Sequence, residues 1–345
     1  MKILEREIGS IDYAANQTRT LPLPRNYAYR SLSLMLKATL SRTDGTAGEA
    51  KDSAPAQLVK NIMIRANGRD VIKNYDMETL HRLCEQRHHV RPHIYSHNWL
   101  GYADKTSEAL RVHARVDFEM WDAIRPIDTL LDSAGLATLE LIITWGAGND
   151  TMNNAWNGTV TVNSATLYVS SCEAVGVPAG TNFFTNKEYM ITSQVNAAST
   201  KHQISLPVSN LYRSIVLKTH SDGNQVDTIM PHPRMITIQA GTEVFKARIA
   251  ADLQADNRLE KEMQIPERIG SGAALNHALQ ELVQEGYYIL EFVKDGRLTE
   301  CLDTSQLSSL DLFLDVAHPG TLDFIDVILT ELIRPPVQVT APAAA

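Results

Sequence analysis

Most of the chain consists of two copies of one sequence pattern, and this repeat constrains the fold more than any other feature. Tyr29-Arg30-Ser31 recurs as Tyr212-Arg213-Ser214, an offset of 183 residues. In both copies apolar residues then follow at alternate positions, as in a half-buried strand. The same offset aligns two further pairs of segments: Leu23-Pro24 with Leu206-Pro207, and Glu5-Arg6-Glu7-Ile8 with Glu188-Tyr189-Met190-Ile191.

Later segments match at smaller offsets, which we place at 174 for Ile62 and Ile236, 173 for Val71 and Val244, 171 for Phe118 and Ile289, and 162 for Val160 and Leu322. The two large decreases fall in the loops Ser41–Gln57 and Gly146–Gly158, where insertions are tolerated. Chance similarity is a poor explanation, because the matches stay in order and every change of offset falls in a turn or loop. The copies run from about residue 5 to 169 and from about 188 to 331.

Each copy contains roughly eight short strand segments and one helical segment, which is typical of an all-β sandwich. Eight strands in two facing sheets form a jelly roll, and the tandem duplication favours this sandwich over others. We therefore predict an all-β chain of two tandem eight-stranded jelly-roll β-sandwiches, a double jelly roll with short helices in loops. The predicted domains are a first jelly roll over 1–172, a linker over 173–186, a second jelly roll over 187–335 and a Pro/Ala-rich tail over 336–345.

The composition narrows the classes of function and the compartment. A formal net charge of -8 disfavours direct nucleic-acid binding, because phosphate contacts need clustered Lys and Arg. The three cysteines are distant and odd in number, which argues against a disulfide framework. The N-terminal segment MKILEREIGS has no signal-peptide core, and no window approaches the ~18 apolar residues of a membrane span. We therefore expect synthesis and assembly in a cytoplasm.

Two stretches carry a resemblance to a known family: LVKNIMIRANGRDVIKNYDMETL from residue 58 and LTECLDTSQLSSLDLFLDV from residue 298. The order of strand, Gly hairpin, Asp-capped helix, Leu-Asp turn and Leu-x-Leu-x-Leu resembles the double jelly-roll major capsid proteins of tailless, membrane-containing icosahedral dsDNA bacterial viruses. These are the tectivirus-, corticovirus- and autolykivirus-like viruses. The resemblance covers about residues 1–335 and rests on structural patterns with weak residue identity.

The resemblance implies a capsid protein located in the virion, which forms pseudo-hexagonal homotrimers that tile an icosahedral shell over an internal membrane. Its implied partners are other copies of itself, neighbouring capsomers, penton and minor capsid proteins and the internal viral membrane, without direct nucleic-acid contact. It implies no enzyme activity, no catalytic or metal-binding residues and no cofactor. We also expect the loops Ser41–Gln57 and Gly146–Gly158 at the outer surface or in intersubunit contacts, and the Pro/Ala tail at the inner side.

A histidine-rich segment is the strongest candidate for a metal site: His81, His88, His89, His93, His97 and His113. His89, His93 and His97 recur every four residues, so a helix would bring them to one face. Pro92 interrupts this spacing, and no Asp or Glu completes a cupin-like ligand set. We therefore favour a polar insertion at one end of the first jelly roll over a metal site.

An oxygen-rich loop is a second candidate site: Asn149, Asp150, Asn153, Asn154 and Asn157. Calcium would bind there through side-chain and backbone oxygens, but a solvated turn explains the same residues. Trp145 and Trp156 bracket the loop, either as anchors at the edge of the core or as exposed aromatics for a glycan or a neighbouring subunit.

Two other functions compete with the shell protein. A β-rich receptor- or glycan-binding virion spike is one, although no stalk of repeats or coiled coil is visible in the sequence. A bicupin-type metalloenzyme is the other, because that fold is also a duplicated jelly roll. The sequence lacks a His-x-His pair with Glu and a further His, and also P-loop, HExxH, GxSxG and CxxC motifs.

Overall fold

The structure is a computed structural model that describes residues 1–43, 51, 54–89, 92, 94–95, 108–152, 158–177, 183–222, 224–260 and 286–335. Most of the loop 41–57, the residues His93 and His97, and the tail 336–345 lie outside these ranges. Within the described residues no helix is long and apolar enough to cross a bilayer.

The first half of the chain forms a sandwich of two sheets, which we call roll 1. The β9 sheet has the order β1-β9-β3-β7-β6, and the β8 sheet has the order β2-β8-β4-β5. The elements of roll 1 are β1 (Lys2–Asp12), β2 (Thr18–Pro22), β3 (Ala28–Thr43), β4 (Val59–Ala66), β5 (Asp70–Tyr75), α1 (Met77–His88), β6 (Ile94–Tyr95), β7 (Glu108–Asp117), β8 (Leu139–Trp145) and β9 (Thr159–Val175).

The second half, roll 2, repeats this topology. The β19 sheet has the order β10-β19-β12, with β13, β16 and β17 also paired to β12, and the β18 sheet has the order β11-β18-β14-β15. The elements are β10 (Thr185–Val195), β11 (Ser199–Leu206), β12 (Leu211–Ser221), β13 (Asn224–Gln225), β14 (Met235–Ala240), β15 (Glu243–Ile249), α2 (Ala250–Glu260), β16 (Tyr287–Glu291), β17 (Leu302–Asp303), β18 (Leu310–Val316) and β19 (Asp323–Ile333). Within the described ranges each roll has eight principal strands in two facing sheets, so the predicted double jelly roll is confirmed.

Alternating side chains from the two sheets of each roll fill its core. Strand β8 and its counterpart β18 show the same alternation of buried and half-buried positions along their whole length. In β3 the buried positions Leu32, Leu34 and Leu36 face those of β4 and β8, including Ile64 and Leu141. This period-2 burial is what the alternating sequence pattern predicts for a strand with one face on a core.

The hydrogen bonds confirm the repeat at its first offset. Tyr29 donates its hydroxyl proton to the Pro24 carbonyl at 2.6 Å, and Tyr212 donates to the Pro207 carbonyl at 2.7 Å. Both copies also carry a β-bulge directly after this tyrosine, in the pairing of β3 with β9 and of β12 with β19. The two rolls therefore share local irregularities as well as topology.

Two of the later offsets were wrong. Phe118 donates its amide proton to Arg30 and Phe292 donates to Arg213, so Phe118 corresponds to Phe292 at an offset of 174 (292 minus 118), not to Ile289. In the last strands Glu5 pairs with Cys172 and Glu188 with Thr330, which gives 158 (330 minus 172) instead of 162.

The tyrosine hydrogen bonds give a first prediction. We expect Tyr29→Phe and Tyr212→Phe each to lower the free energy of unfolding by at least about 0.5–1.5 kcal/mol, because each removes the hydrogen bond from a largely buried hydroxyl to a proline carbonyl. Urea-induced unfolding of both variants measures the two changes side by side. Tyr27→Phe is the control, since Tyr27 lies two residues from Tyr29 and its hydroxyl donates no hydrogen bond within the described residues. Equal effects for Tyr27 and Tyr29 would contradict the prediction.

The described part of the loop Gly146–Gly158 has both exposed and buried residues, with Asn149 exposed, so its expected place at the outer surface or in intersubunit contacts stays a prediction. Residues 148–151 form a short 3-10 turn, in which Gly148 and Thr151 are buried, and Met152 follows with 1% exposure. The physical reason is that Gly148 lies against the backbone of Val160, where a Cβ would meet the carbonyl oxygen at 2.3 Å. Residues 153–157 of this loop lie outside the described residues.

Candidate functional site at the junction of the two rolls

The two rolls are joined through a continuous sheet. Strand β5 at the edge of roll 1 pairs in parallel with β10 at the edge of roll 2, with Lys73 opposite Glu188 and Asn74 opposite Tyr189. This pairing fuses the β8 sheet and the β19 sheet into one ten-stranded sheet. Strand β9 ends at Val175 and β10 begins at Thr185, and residues 178–182 of the predicted linker lie outside the described residues.

Helix α1 lies between the rolls. Asp76 caps its N-terminus by accepting the Thr79 amide proton at 2.5 Å, and His89, with a φ of 55°, ends it in the left-handed conformation. All residues from Met77 to Gln86 are buried, so the helix is covered on more than one side. The Cys84 thiol donates to the Arg115 carbonyl at 3.0 Å and ties the helix to β7 of its own roll.

An apolar layer covers the opposite side of α1. Side chains from the outer face of the β19 sheet belong to the same buried cluster as the helix residues Met77, Leu80 and Leu83. These roll 2 side chains are Val216, Tyr287, Ile289 and Ile328, each with at most 6% exposure. Since the cluster spans both halves of the chain, the junction is part of the folded core.

A buried ion triad lies where β5 meets β10. The Lys73 ammonium is 3.0 Å from the Glu188 carboxylate, and the Arg87 guanidinium also contacts that carboxylate. Lys73 and Glu188 are fully buried, and Arg87 is nearly so. Burial lowers the pKa of Lys73 to about 8. For Glu188 burial acts to raise the pKa, but Arg87 and Lys73 outweigh it and hold the pKa below its usual value.

A second ion cluster links α1 to β12. The Lys218 ammonium is 3.0 Å from the Glu78 carboxylate and 3.5 Å from that of Asp76, the helix cap. Burial acts to lower the pKa of Lys218, but Asp76 and Glu78 outweigh it, and the pKa rises well above its usual value. Lys218 therefore stays charged and fixes the start of α1 on roll 2.

The loop that contains Asp122 in roll 1 makes a third contact with roll 2. The Arg213 guanidinium of roll 2 lies 2.5 Å from the Asp122 carboxylate of roll 1. Beside it, the Ile124 amide donates to the Gly296 carbonyl at 3.0 Å. With the sheet and the helix, these contacts hold the rolls in one mutual orientation.

The described members His81, His88 and His113 of the histidine segment have hydrogen-bond partners within the protein. His81 contacts the His113 carbonyl at 3.0 Å, the His113 ring contacts the Ser33 hydroxyl at 2.8 Å, and the His88 ring contacts the Asp117 carboxylate at 3.0 Å. The expectation of a polar insertion is wrong for His81, which is fully buried in α1, because the helix continues to His88. Within the described residues no group of three or more metal-ligating side chains occurs.

The side chains in the described part of the oxygen-rich loop also have hydrogen-bond and ion-pair partners within the protein. The Asn149 side chain accepts the Val160 amide proton at 2.7 Å, and Asp150 accepts from Ala147 at 2.6 Å and pairs with Lys60 at 2.7 Å. Asn153, Asn154, Asn157 and Trp156 lie outside the described residues. Trp145 is fully buried and packs edge-on against Tyr13 at 5.4 Å between ring centroids, so of the two roles considered it is a core anchor.

The lowered pKa of Lys73 gives a pH-dependent prediction. Between about pH 8 and the ordinary lysine value of 10.5 the unfolded chain binds more protons at this position than the folded one, so its contribution to stability rises with pH. We expect the free energy of unfolding of the unmodified chain to increase relative to Lys73→Met as the pH rises from 8 to 10. Urea titrations of both proteins at each pH measure this difference. A difference in the free energy of unfolding that is constant or falls with pH would contradict the lowered pKa of Lys73.

The fold is similar along the whole chain to viral major capsid proteins, although no family model and no curated protein sequence matches it. The major capsid protein of Sulfolobus Turreted Icosahedral Virus superimposes with a TM-score of 0.72 at 15% identity, covering 97% of this chain and 98% of that one. The major capsid protein P2 from bacteriophage PM2 gives 0.57 at 14% identity, with 97% and 99% covered. The Faustovirus major capsid protein gives 0.59 at 8% identity, with 97% and 91% covered. The chain shares their double jelly-roll fold.

Proposed function

We propose that this chain is the major capsid protein of an icosahedral virus and acts as a structural shell protein without catalytic activity. The observation that carries this proposal is the match over 97% of the chain, which includes both rolls, to proteins whose only named role is to form capsids. A match of one roll alone would be weaker support, since single jelly rolls occur with many functions.

The capsomer is proposed to be a homotrimer with a pseudo-hexagonal outline. Three chains with two similar rolls each supply six similar units around one axis, which is the simplest way for a duplicated chain to fill a hexagonal tile. The junction supports this role, because its buried helix and ion triad fix the angle between the two units. A flexible linker between the rolls would not define a tile.

The finer parts of the proposal concern partners and place. The trimers would contact neighbouring capsomers, with penton and minor capsid proteins completing a shell in the virion over an internal membrane, after synthesis in the host cytoplasm. The net charge of -8 favours contacts other than direct binding to nucleic acid. The domain division at residues 173–186 and the inner position of the tail 336–345 belong to the same proposal.

Assembly of the purified protein tests the function. Mass photometry is expected to show a species of about three times 38.3 kDa, and negative-stain class averages a roughly hexagonal outline, with sheets or cages at higher concentration. A chain that stays monomeric at every concentration would contradict the capsomer proposal. A trimer with a long, thin outline would contradict the tile and favour the spike.

A further inference from the structure

The outer edges of the two rolls repeat the arrangement that joins the rolls within the chain. Inside the chain, the edge strand β5 of roll 1 pairs with the edge strand β10 of roll 2. The remaining edge strands of the same kind are β15 in roll 2 and β1 in roll 1, which are the repeat counterparts of β5 and β10. Within the described residues β1 pairs only with β9, and β15 pairs only with β14. Both strands therefore present one unpaired backbone edge.

The residues on these two edges are complementary in the same way as at the junction. In the junction Glu188 is opposite Lys73, and their repeat counterparts are Glu5 on β1 and Lys246 on β15. The lysines also have matching aromatic contacts: Lys73 lies 5.8 Å from the ring of Phe118, and Lys246 lies 5.0 Å from the ring of its counterpart. Charge and local geometry are thus kept at the two free edges.

Lys246 has no carboxylate within ion-pair distance among the described residues, although Glu260 and Glu291 of its own chain lie near enough to act on its charge. It is half-buried, and its ammonium donates to the Glu291 carbonyl at 2.5 Å, but no ion pair to it occurs within the part of the chain that the structure describes. Glu5 is exposed and likewise has no ion pair there. One position departs from the template: Arg87 corresponds to Glu260, which is already paired with Lys294 at 2.5 Å.

The helices differ between the two rolls as the edge strands do: α1 is covered by the other roll, and its counterpart α2 is not. In α1 every residue from Met77 to Gln86 is buried, whereas in α2 only Ala250, Leu253, Gln254 and Asn257 are buried. The difference arises because α1 is covered by the β19 sheet of roll 2. Near the free edges large apolar side chains are exposed: Ile3 at 55% on β1, Val244 at 52% on β15 and Leu259 at 79% on α2. A contact that covered them would extend the junction pattern.

The sheet face beside β1 differs in polarity from its covered counterpart. On the β19 sheet the positions under α1 include Met190, Val216 and Ile328, and on the β9 sheet the corresponding residues are Glu7, Ser33 and Ser170. The contact inside the chain forms during folding and is apolar. A face that stays in water until two chains meet must be polar enough to keep the free chain soluble.

We infer that β1 of one chain pairs in parallel with β15 of a second copy, with Glu5 opposite Lys246, while α2 of that copy lies on the β9 sheet of the first. This inference rests on the proposed function and names its partner surfaces. The contact is heterologous, since two different surfaces meet, and it closes into a ring when three chains have placed six rolls around the axis. Each contact between two chains joins a sheet of one chain to a sheet of the next.

Charge reversal tests the pairing. Glu5→Lys and Lys246→Glu each place like charges opposite one another, and we expect each to raise the concentration at which half of the chains are trimeric by about tenfold or more. The double variant Glu5→Lys/Lys246→Glu restores opposite charges at every contact and is expected to recover the trimer. Arg69→Glu, in the exposed turn before β5, and Asp70→Lys, at the exposed start of β5, are matched controls with the same changes of charge. Mass photometry over a dilution series gives the readout.

Cross-linking provides a second measurement that does not depend on how well the charge variants fold. Directly opposite positions on paired strands are within disulfide reach, so Glu5→Cys/Lys246→Cys in a Cys172→Ser background is expected to form covalent dimers and trimers on oxidation. Each single-cysteine variant stays monomeric on a non-reducing gel. Bands that continue beyond the trimer would overturn the closed ring. Assembled trimers that form no covalent dimers or trimers on oxidation would overturn the pairing.

The two failures are distinguishable. If the unmodified chain never trimerises, the proposed capsomer fails and the edge pairing fails with it. If the chain trimerises but the single charge reversals leave the dilution curve unchanged, only the pairing of β1 with β15 fails and the capsid function stands.

Discussion

Replacing Glu188 by Gln is expected to lower the free energy of unfolding by about 3–5 kcal/mol, because it leaves two buried cations without their carboxylate. Glu188 and Lys73 are fully buried, and Arg87 has 10% side-chain exposure. Lys73 can lose its proton at moderate cost, since its pKa is already lowered to about 8. Arg87 has no such escape, because a guanidinium does not deprotonate in a protein. The loss therefore falls mainly on Arg87.

The repeat supplies a matched control for this substitution. Glu5 is the counterpart of Glu188 in roll 1 and is exposed, so Glu5→Gln in the monomeric chain is expected to change stability by no more than about 0.5 kcal/mol. Lys73→Met is expected to have a smaller effect than Glu188→Gln, because it leaves the pair of Arg87 with Glu188 intact. Urea-induced unfolding followed by circular dichroism measures all three. Equal losses for Glu188→Gln and Glu5→Gln would show that the triad does not hold the rolls together.

The sequence predicted the fold where only one face of a strand is buried. Strands β8 and β18 alternate strictly between buried and half-buried positions along their whole length. The offsets failed at β16 and β19, where almost every residue is buried because the sheet is covered on both faces. A strand of this kind, such as Tyr287–Glu291, carries no alternation that could fix its register. A slip of four residues, as in β19, also leaves the inward and outward faces unchanged.

The junction was harder to predict than the rolls because it depends on contacts between distant segments. Lys73 and Glu188 are separated by more than a hundred residues, and neither belongs to a motif. A signal was nevertheless present in the comparison of the two copies. With the correct register, Ser33 and Ser170 of roll 1 align with Val216 and Ile328 of roll 2. An outward position that is polar in one copy and apolar in the other indicates that only one copy has its outer face covered.

Replacing Gly296 by Ala is expected to destabilise the junction. Among the described glycines with a positive φ, we expect this one to give the largest loss of stability on substitution by Ala. Gly296 has a φ of 73°, which costs about 1–2 kcal/mol for a residue with a Cβ. The added Cβ would also lie 2.4 Å from the carbonyl oxygen of Asp122, in the neighbouring roll. Such a contact requires a backbone shift, which adds about 1–3 kcal/mol in a well-packed region.

Gly68 separates these two contributions. It has the same φ of 73° in the turn between β4 and β5, but an added Cβ would meet no atom within 4 Å. Gly68→Ala therefore measures the conformational cost alone, and the excess for Gly296→Ala measures how tightly the loop at Asp122 is held. The Ile124 amide, which donates to the Gly296 carbonyl at 3.0 Å, is expected to lose protection from hydrogen exchange in Gly296→Ala only. Equal destabilisation by the two substitutions would mean that the loop yields freely. The angle between the rolls would then depend on the pairing of β5 with β10, on α1 and on the ion clusters at Glu188 and Lys218.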